Sequence, residues 1–146
     1  MAAAQTVQFA PPMIVTNVDF RFIVTEQLQG VGIDPGPVLI EPMGKNTAAA
    51  VLAACLYAQE TDPEAVLLVA PYDHLIPDHQ AFDDAVRLGL EQVERGRIVT
   101  FGITPTQAET GYGYLALDPA SMDEPVVPVH KFVDKPDHAT AQNMVD

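Results

Sequence analysis

Four short stretches hold residues whose types and spacing could do chemistry: Lys45-Asn46-Thr47, Asp73, Gly111-Tyr112-Gly113-Tyr114 and Asp134-Lys135. Asp73 follows the apolar run Ala65-Val66-Leu67-Leu68-Val69-Ala70, which Pro71 breaks. Such a run suits a strand buried on both faces of a parallel sheet. The acid would then sit at the carboxyl edge of the sheet, where open α/β sheets bind their ligands. There it either caps the next turn or holds a divalent cation, and position alone leaves both readings open. Magnesium takes one or two carboxylates and fills its shell with phosphate oxygens and waters. One acid therefore suits a metal that arrives with a nucleotide and is too few for a cage built of protein alone.

The other stretches divide in the same way. Glu41-Pro42-Met43-Gly44-Lys45-Asn46-Thr47 lies between a short β-prone run and an alanine-rich segment. A glycine loop entering a helix leaves backbone amides free, a setting for phosphate or polar ring atoms, while Asn and Thr are also ordinary helix caps. The phosphate-loop spacing G-x-x-x-x-G-K-[ST] is absent. Glycines inside the run 109–115 mark either a sheet bulge or the close approach of a ligand. Asp134-Lys135 is either an exposed turn salt bridge or an acid and a base presented together. His74 and His79 flank the Asp73 loop without the H-E-x-x-H spacing of a zinc site, and His130 and His138 have no identifiable partner. No nucleophile-elbow triad and no glycosidase-like pair of acids can be assembled.

The totals narrow the classes. A chain of 146 residues, 48% hydrophobic and 18% charged, is long enough for one soluble domain with a full core. Its net charge of −13 opposes attraction to nucleic acid and to anionic membranes. A polyanionic small ligand would need a metal or locally placed cations, and the lysines are Lys45, Lys131 and Lys135, all in turn-rich or motif-like stretches. Cys55 is the single cysteine, so an intrachain disulfide is excluded, and its alanine-rich apolar surroundings predict a buried, inert thiol. No apolar run approaches the ~18 residues of a membrane span and the opening residues do not read as a signal peptide, so a cytoplasmic location is expected.

Elements that would position these residues follow from local signals. Residues 1–12 read as a lead segment, a helix remnant or disordered. Residues 13–16 predict a strand, Asn17 a helix cap with Asp19 in the first turn, and Gly30 and Gly32 the stop after about Gln29. Pro35-Gly36-Pro37 turns the chain into a second strand at 38–40, and a helix is expected over 48–59. After the run at 65–70, Asp78 can cap a helix whose core face is Phe82, Val86, Leu90 and Val93, ended by Gly96. Residues 98–101, 109–115 and 126–133 read as further strands, and a short helix follows Asp137. Three strand–helix alternations argue for a Rossmann-like α/β layer with a parallel sheet, although no G-x-G-x-x-G is present.

Four ordered segments resemble the sugar-phosphate nucleotidyltransferase family, most nearly its mannose-1-phosphate guanylyltransferase branch, which includes forms fused to a mannose-6-phosphate isomerase domain. They are Glu41-Pro42-Met43-Gly44-Lys45-Asn46-Thr47-Ala48, Ala70-Pro71-Tyr72-Asp73-His74-Leu75-Ile76, Phe101-Gly102-Ile103 through Thr110-Gly111-Tyr112-Gly113-Tyr114, and Phe132-Val133-Asp134-Lys135-Pro136-Asp137. Val15-Thr16-Asn17 with Arg21-Phe22 is a weaker fifth. The resemblance implies an α/β nucleotidyltransferase layer, a mostly parallel or mixed sheet flanked by helices, truncated at both ends, with residues 13–146 as part of that domain. It implies attack of a mannose 1-phosphate oxygen on the α-phosphorus of GTP, releasing pyrophosphate and forming GDP-mannose with magnesium as cofactor. In such an enzyme Asn46 and Thr47, beside Lys45, would contact the nucleotide. Asp73 would hold the metal, Gly113 and Tyr114 would sit against the sugar, Asp134 would bind its hydroxyls, and Lys135 would meet its phosphate.

The departures from the family pattern bear on activity. Lysine stands at position 45 where arginine is usual, replacing a planar fork by a point charge. Asp134 replaces the usual glutamate, Ala49 a common proline and Tyr72 a usual alanine. The family's glycine-rich triphosphate grip has no counterpart before Met13, and its second metal-binding aspartate would fall after Asp146. The chain is therefore expected to be an internal piece of such an enzyme, inactive alone. Two alternatives remain: a non-catalytic nucleotide- or sugar-nucleotide-binding regulatory module, and a sugar-1-phosphate nucleotidyltransferase of another specificity. Unpaired sheet edges would also invite homo-oligomer formation.

Overall fold

A computed structural model describes residues 8–145, so most of the expected lead segment lies outside the described residues. The chain divides into two compact units, Met1–Leu75 and Ile76–Asp146.

In the first unit, β1 (Ile14–Asn17) and β2 (Val38–Glu41) pair in parallel, with Ile14 opposite Val38 and Asn17 opposite Glu41. Helix α1 (Arg21–Gly30) joins them. Asn17 does not cap α1 directly: its side-chain oxygen accepts the amides of Asp19 and Phe20, closing a turn ahead of the helix. An Asx turn competes with a cap for the same oxygen, and the helix starts four residues later. Its end matches the sequence. Gly32 has φ 77°, its N–H donates to the Gln29 carbonyl, and the N–H of Ile33 donates to that of Leu28. These are the two bonds of a Schellman stop, which needs a left-handed residue. The Pro35-Gly36-Pro37 turn docks on Pro11-Pro12 through the Gly36 N–H and the Pro12 carbonyl. A Cβ on Gly36 would stand 3.2 Å from the Pro11 carbonyl oxygen, so that close approach favours glycine.

Helix α2 (Asn46–Thr61) packs on β2. It is apolar nearly all round, a composition that would require cover on every side, yet Ala54 is its buried residue. Cys55 is exposed, contrary to the buried thiol expected: it lines an open groove between α2 and the segment 62–67, which does not close over it. The run at 65–70 also departs from expectation: it is irregular, and Val66 and Val69 are more than half exposed. An apolar, β-branched run prefers a strand, but a strand exists only within a ladder, and none of the described residues pairs with it.

The second unit holds α3 (His79–Val93), an antiparallel pair of β3 (Gly113–Leu117) and β4 (Val129–Asp134), a 3₁₀ turn at Pro119–Ser121, and α4 (His138–Val145). Asp78 caps α3 as expected, its carboxylate accepting the Ala81 amide at 2.9 Å. Gly96, at φ 77°, ends that helix with the same pair of bonds as Gly32. Val86 is buried on the expected core face. Residues 98–101 are not a strand, though Val99 and Phe101 pack where a Cβ on Gly89 would stand. The pairs seen are one parallel and one antiparallel. They form two small sheets flanked by helices, without a continuous Rossmann-like layer among the described residues. No described helix is long and apolar enough to cross a membrane.

Candidate functional site

The β3–β4 pair brings four of the candidate residues together. Gly113 opens β3 opposite Asp134, which closes β4, and Tyr114 stands opposite Val133. Lys135 follows Asp134 at φ 42°, a left-handed backbone unusual for a residue with a Cβ. Its N–H donates to the Tyr112 carbonyl at 3.1 Å, and Pro136 behind it is buried. Asp134 and Lys135 are exposed and form no ion pair with each other; among the described residues the ion pair is Arg87–Asp84. The turn salt bridge is therefore not what occupies these side chains. A carboxylate acceptor and an ammonium donor stand side by side, suited to hydroxyls and to an anion.

Gly113 lacks a side chain for a local reason. A Cβ there would lie 2.3 Å from Cζ and 2.6 Å from Cε2 of Phe132, whose ring covers the glycine from the partner strand. The register irregularity of this pair falls at Ala116–Leu117 and not at Gly113, and what approaches this glycine closely is a side chain of the chain itself. Tyr114 is buried, and its hydroxyl both accepts the Glu109 N–H at 2.8 Å and donates to the Glu109 carbonyl at 3.0 Å. Its O–H proton is thus committed inside the protein. Glu109 in turn accepts the Gly111 amide on its carboxylate at 3.2 Å. Phe132 and Glu109 are the residues that sequence reasoning did not assign. The available signals were an aromatic two residues before the acid and a glutamate two before a glycine, neither specific alone.

Just past the hairpin, Asp137 caps α4, accepting the Thr140 amide at 2.8 Å. That bond, then one from the Thr140 hydroxyl, and the charge of His138 hold its carboxyl below the ordinary range, against a small opposing effect of burial.

The first unit carries the other candidates. Lys45, Asn46 and Thr47 are exposed at the start of α2, where no side chain caps the helix, and Asn46 has φ 62°. Ordinary capping therefore does not explain them, and the helix start keeps its amides free among the described residues. Asp73 lies on an exposed loop with no hydrogen bond or ion pair among them. Nor does any described cluster of three or more His, Cys, Asp or Glu form a metal cage. A free hard-oxygen donor of this kind fits a magnesium ion that brings its remaining ligands as phosphate and water.

The sequence model of the nucleotidyl transferase family matches residues 1–146. The xanthan biosynthesis protein XanB of Xanthomonas campestris is 46% identical over 131 residues, which is 90% of this chain and 27% of that protein. The alginate biosynthesis protein AlgA of Pseudomonas aeruginosa is 42% identical over 92% of this chain and 28% of its own length. The mannose-1-phosphate guanylyltransferase ManC of Salmonella typhimurium is 40% identical over 95% of this chain and 30% of its own. The chain thus spans less than a third of the length of these relatives. No solved structure matches it.

Proposed function

The chain belongs to the nucleotidyl transferase family, and from that premise we propose that it is part of an enzyme making GDP-mannose and pyrophosphate from GTP and mannose 1-phosphate. The observation that carries this reading is the hairpin corner, where Gly113 faces Asp134 and Lys135 follows in a held left-handed conformation. Relatives named mannose-1-phosphate guanylyltransferase support the choice of guanine and mannose.

The reaction is an in-line transfer in which the protein's work is positioning and charge neutralisation. Asn46 and Thr47, with the free amides at the start of α2, hold the nucleotide, and Lys45 supplies a point charge beside it. Asp73 would hold magnesium, which when bound would neutralise phosphate charge. The backbone at Gly113 and Tyr114 forms a wall against the sugar, Asp134 accepts from its hydroxyls, and Lys135 binds its phosphate. Neutralising the sugar phosphate at Lys135 lets two anions approach for attack on the α-phosphorus.

Residues 13–146 form part of one nucleotidyltransferase domain in this reading, acting in the cytoplasm. The unpaired edges of its two-stranded sheets support self-association. In this reading the 146-residue chain, assayed by itself, binds without turning over. Titrating GTP and GDP-mannose with magnesium into wild type and Asp73→Asn tests the reading. Magnesium-dependent binding that the substitution weakens supports it. Binding that ignores both magnesium and Asp73 favours a non-catalytic binding module, and pyrophosphate release by the isolated chain contradicts its inactivity.

A further inference from the structure

The loop ahead of β3 is closed on itself by one side chain. The Tyr114 hydroxyl takes both backbone groups of Glu109, its N–H at 2.8 Å and its carbonyl at 3.0 Å, so the position of Glu109 relative to the strand is set at two points. Tyr114 is 9% exposed and both bonds are part-buried, which limits competition from water. Inside the ring so formed, the Glu109 carboxylate accepts the Gly111 amide at 3.2 Å. Toward its far end the Tyr112 carbonyl accepts the Lys135 N–H at 3.1 Å. Lys135 has φ 42°, a conformation that persists for a non-glycine residue only where its surroundings hold it. The Tyr112 carbonyl on one side and buried Pro136 on the other supply that hold.

We infer that Tyr114 is a positioning residue for the sugar-phosphate end of the site. Its hydroxyl fixes the loop 109–112, and the loop, through the Tyr112 carbonyl, keeps Lys135 in its left-handed conformation next to Asp134. The single hydroxyl proton is already donated to Glu109, so the tyrosine acts through Glu109 and Tyr112 and not by giving a hydrogen bond to the sugar. The inference rests on the sugar-phosphate reading of Asp134 and Lys135.

Tyr114→Phe removes the hydroxyl and leaves the ring. Two measurements on the whole 146-residue chain test it: amide exchange without ligand, and titration with mannose 1-phosphate followed at the Lys135 amide. The expected result is faster exchange at Glu109 and Lys135, unchanged exchange along the β3–β4 ladder, and an affinity lower by about tenfold, the loss of one to two ordinary hydrogen bonds. Glu109→Gln, which keeps an oxygen for Gly111, retains wild-type affinity. Wild-type binding that Tyr114→Phe leaves unchanged, or unchanged exchange at Glu109, overturns the inference and spares the sugar-phosphate reading. A wild-type chain whose Lys135 amide does not respond to saturating mannose 1-phosphate overturns both.

Discussion

Replacing Gly113 by alanine should destabilise the β3–β4 pair in the wild-type protein and stabilise it once Phe132 is gone. The added Cβ would sit 2.3 Å from the ring's Cζ, more than 1 Å inside an ordinary contact, so the ring must shift off the glycine. Phe132 is 59% exposed, so about two-fifths of its surface is in contact. With ~200 Å² for a phenylalanine and ~25 cal/mol per Å², displacing it costs about 2 kcal/mol as an upper estimate. Against this, alanine gains ~0.5–1 kcal/mol over glycine within a strand. That gain is available because Gly113 is not among the positive-φ glycines, Gly32 and Gly96. The expected net effect is a loss of about 1 kcal/mol in wild type and a gain of about 0.5 kcal/mol in a Phe132→Ala background. Amide exchange at Lys135 and along the ladder reads both legs of the double-mutant cycle. Equal effects of Gly113→Ala in the two backgrounds would refute the claim that the ring is what requires glycine.

Asp78→Ala should cost about 1 kcal/mol, read as faster exchange in the first turn of α3, because it removes the side chain that accepts the Ala81 amide. The Asp137 cap should be fully present above the unfolded aspartate pKa of ~3.9 and be lost as pH falls through the lower value in the folded chain. Amide exchange at Thr140 between about pH 5 and 2 follows that loss, and Asp137→Asn, which keeps an acceptor but cannot titrate, should flatten it. Cys55, exposed on α2, should react with a thiol reagent in the folded chain at a rate close to that in denaturant.

Local chemistry was the legible part of this fold. The Asp78 cap and the stops at Gly32 and Gly96 each depend on a few neighbouring residues, and each appears where the sequence places it. Runs 65–70 and 98–101 have strand composition, but a strand needs a partner whose position no local pattern specifies, and none is formed by the described residues. The sequence predicts Asn17 as a cap, and in the structure it closes the turn before α1 instead, since an Asx turn uses the same side-chain oxygen. Cys55 is exposed where burial is expected because apolar neighbours along a helix say what the surface would prefer, not whether another element covers it. At the candidate site, the adjacency of Asp134 and Lys135 and the glycines near Tyr114 are legible directly. The Phe132 ring over Gly113 and the Tyr114 hydroxyl on Glu109 could not, because both contacts depend on the register of β3 against β4 and on the path of the loop.

If this hairpin corner binds a sugar phosphate through Lys135, a calorimetric titration of mannose 1-phosphate into wild type and Lys135→Ala will show it. The expected result is saturable binding to wild type and a loss of about tenfold or more in the variant, the size of a charge-assisted hydrogen bond to phosphate in an exposed setting. Equal affinity for the two proteins would contradict it.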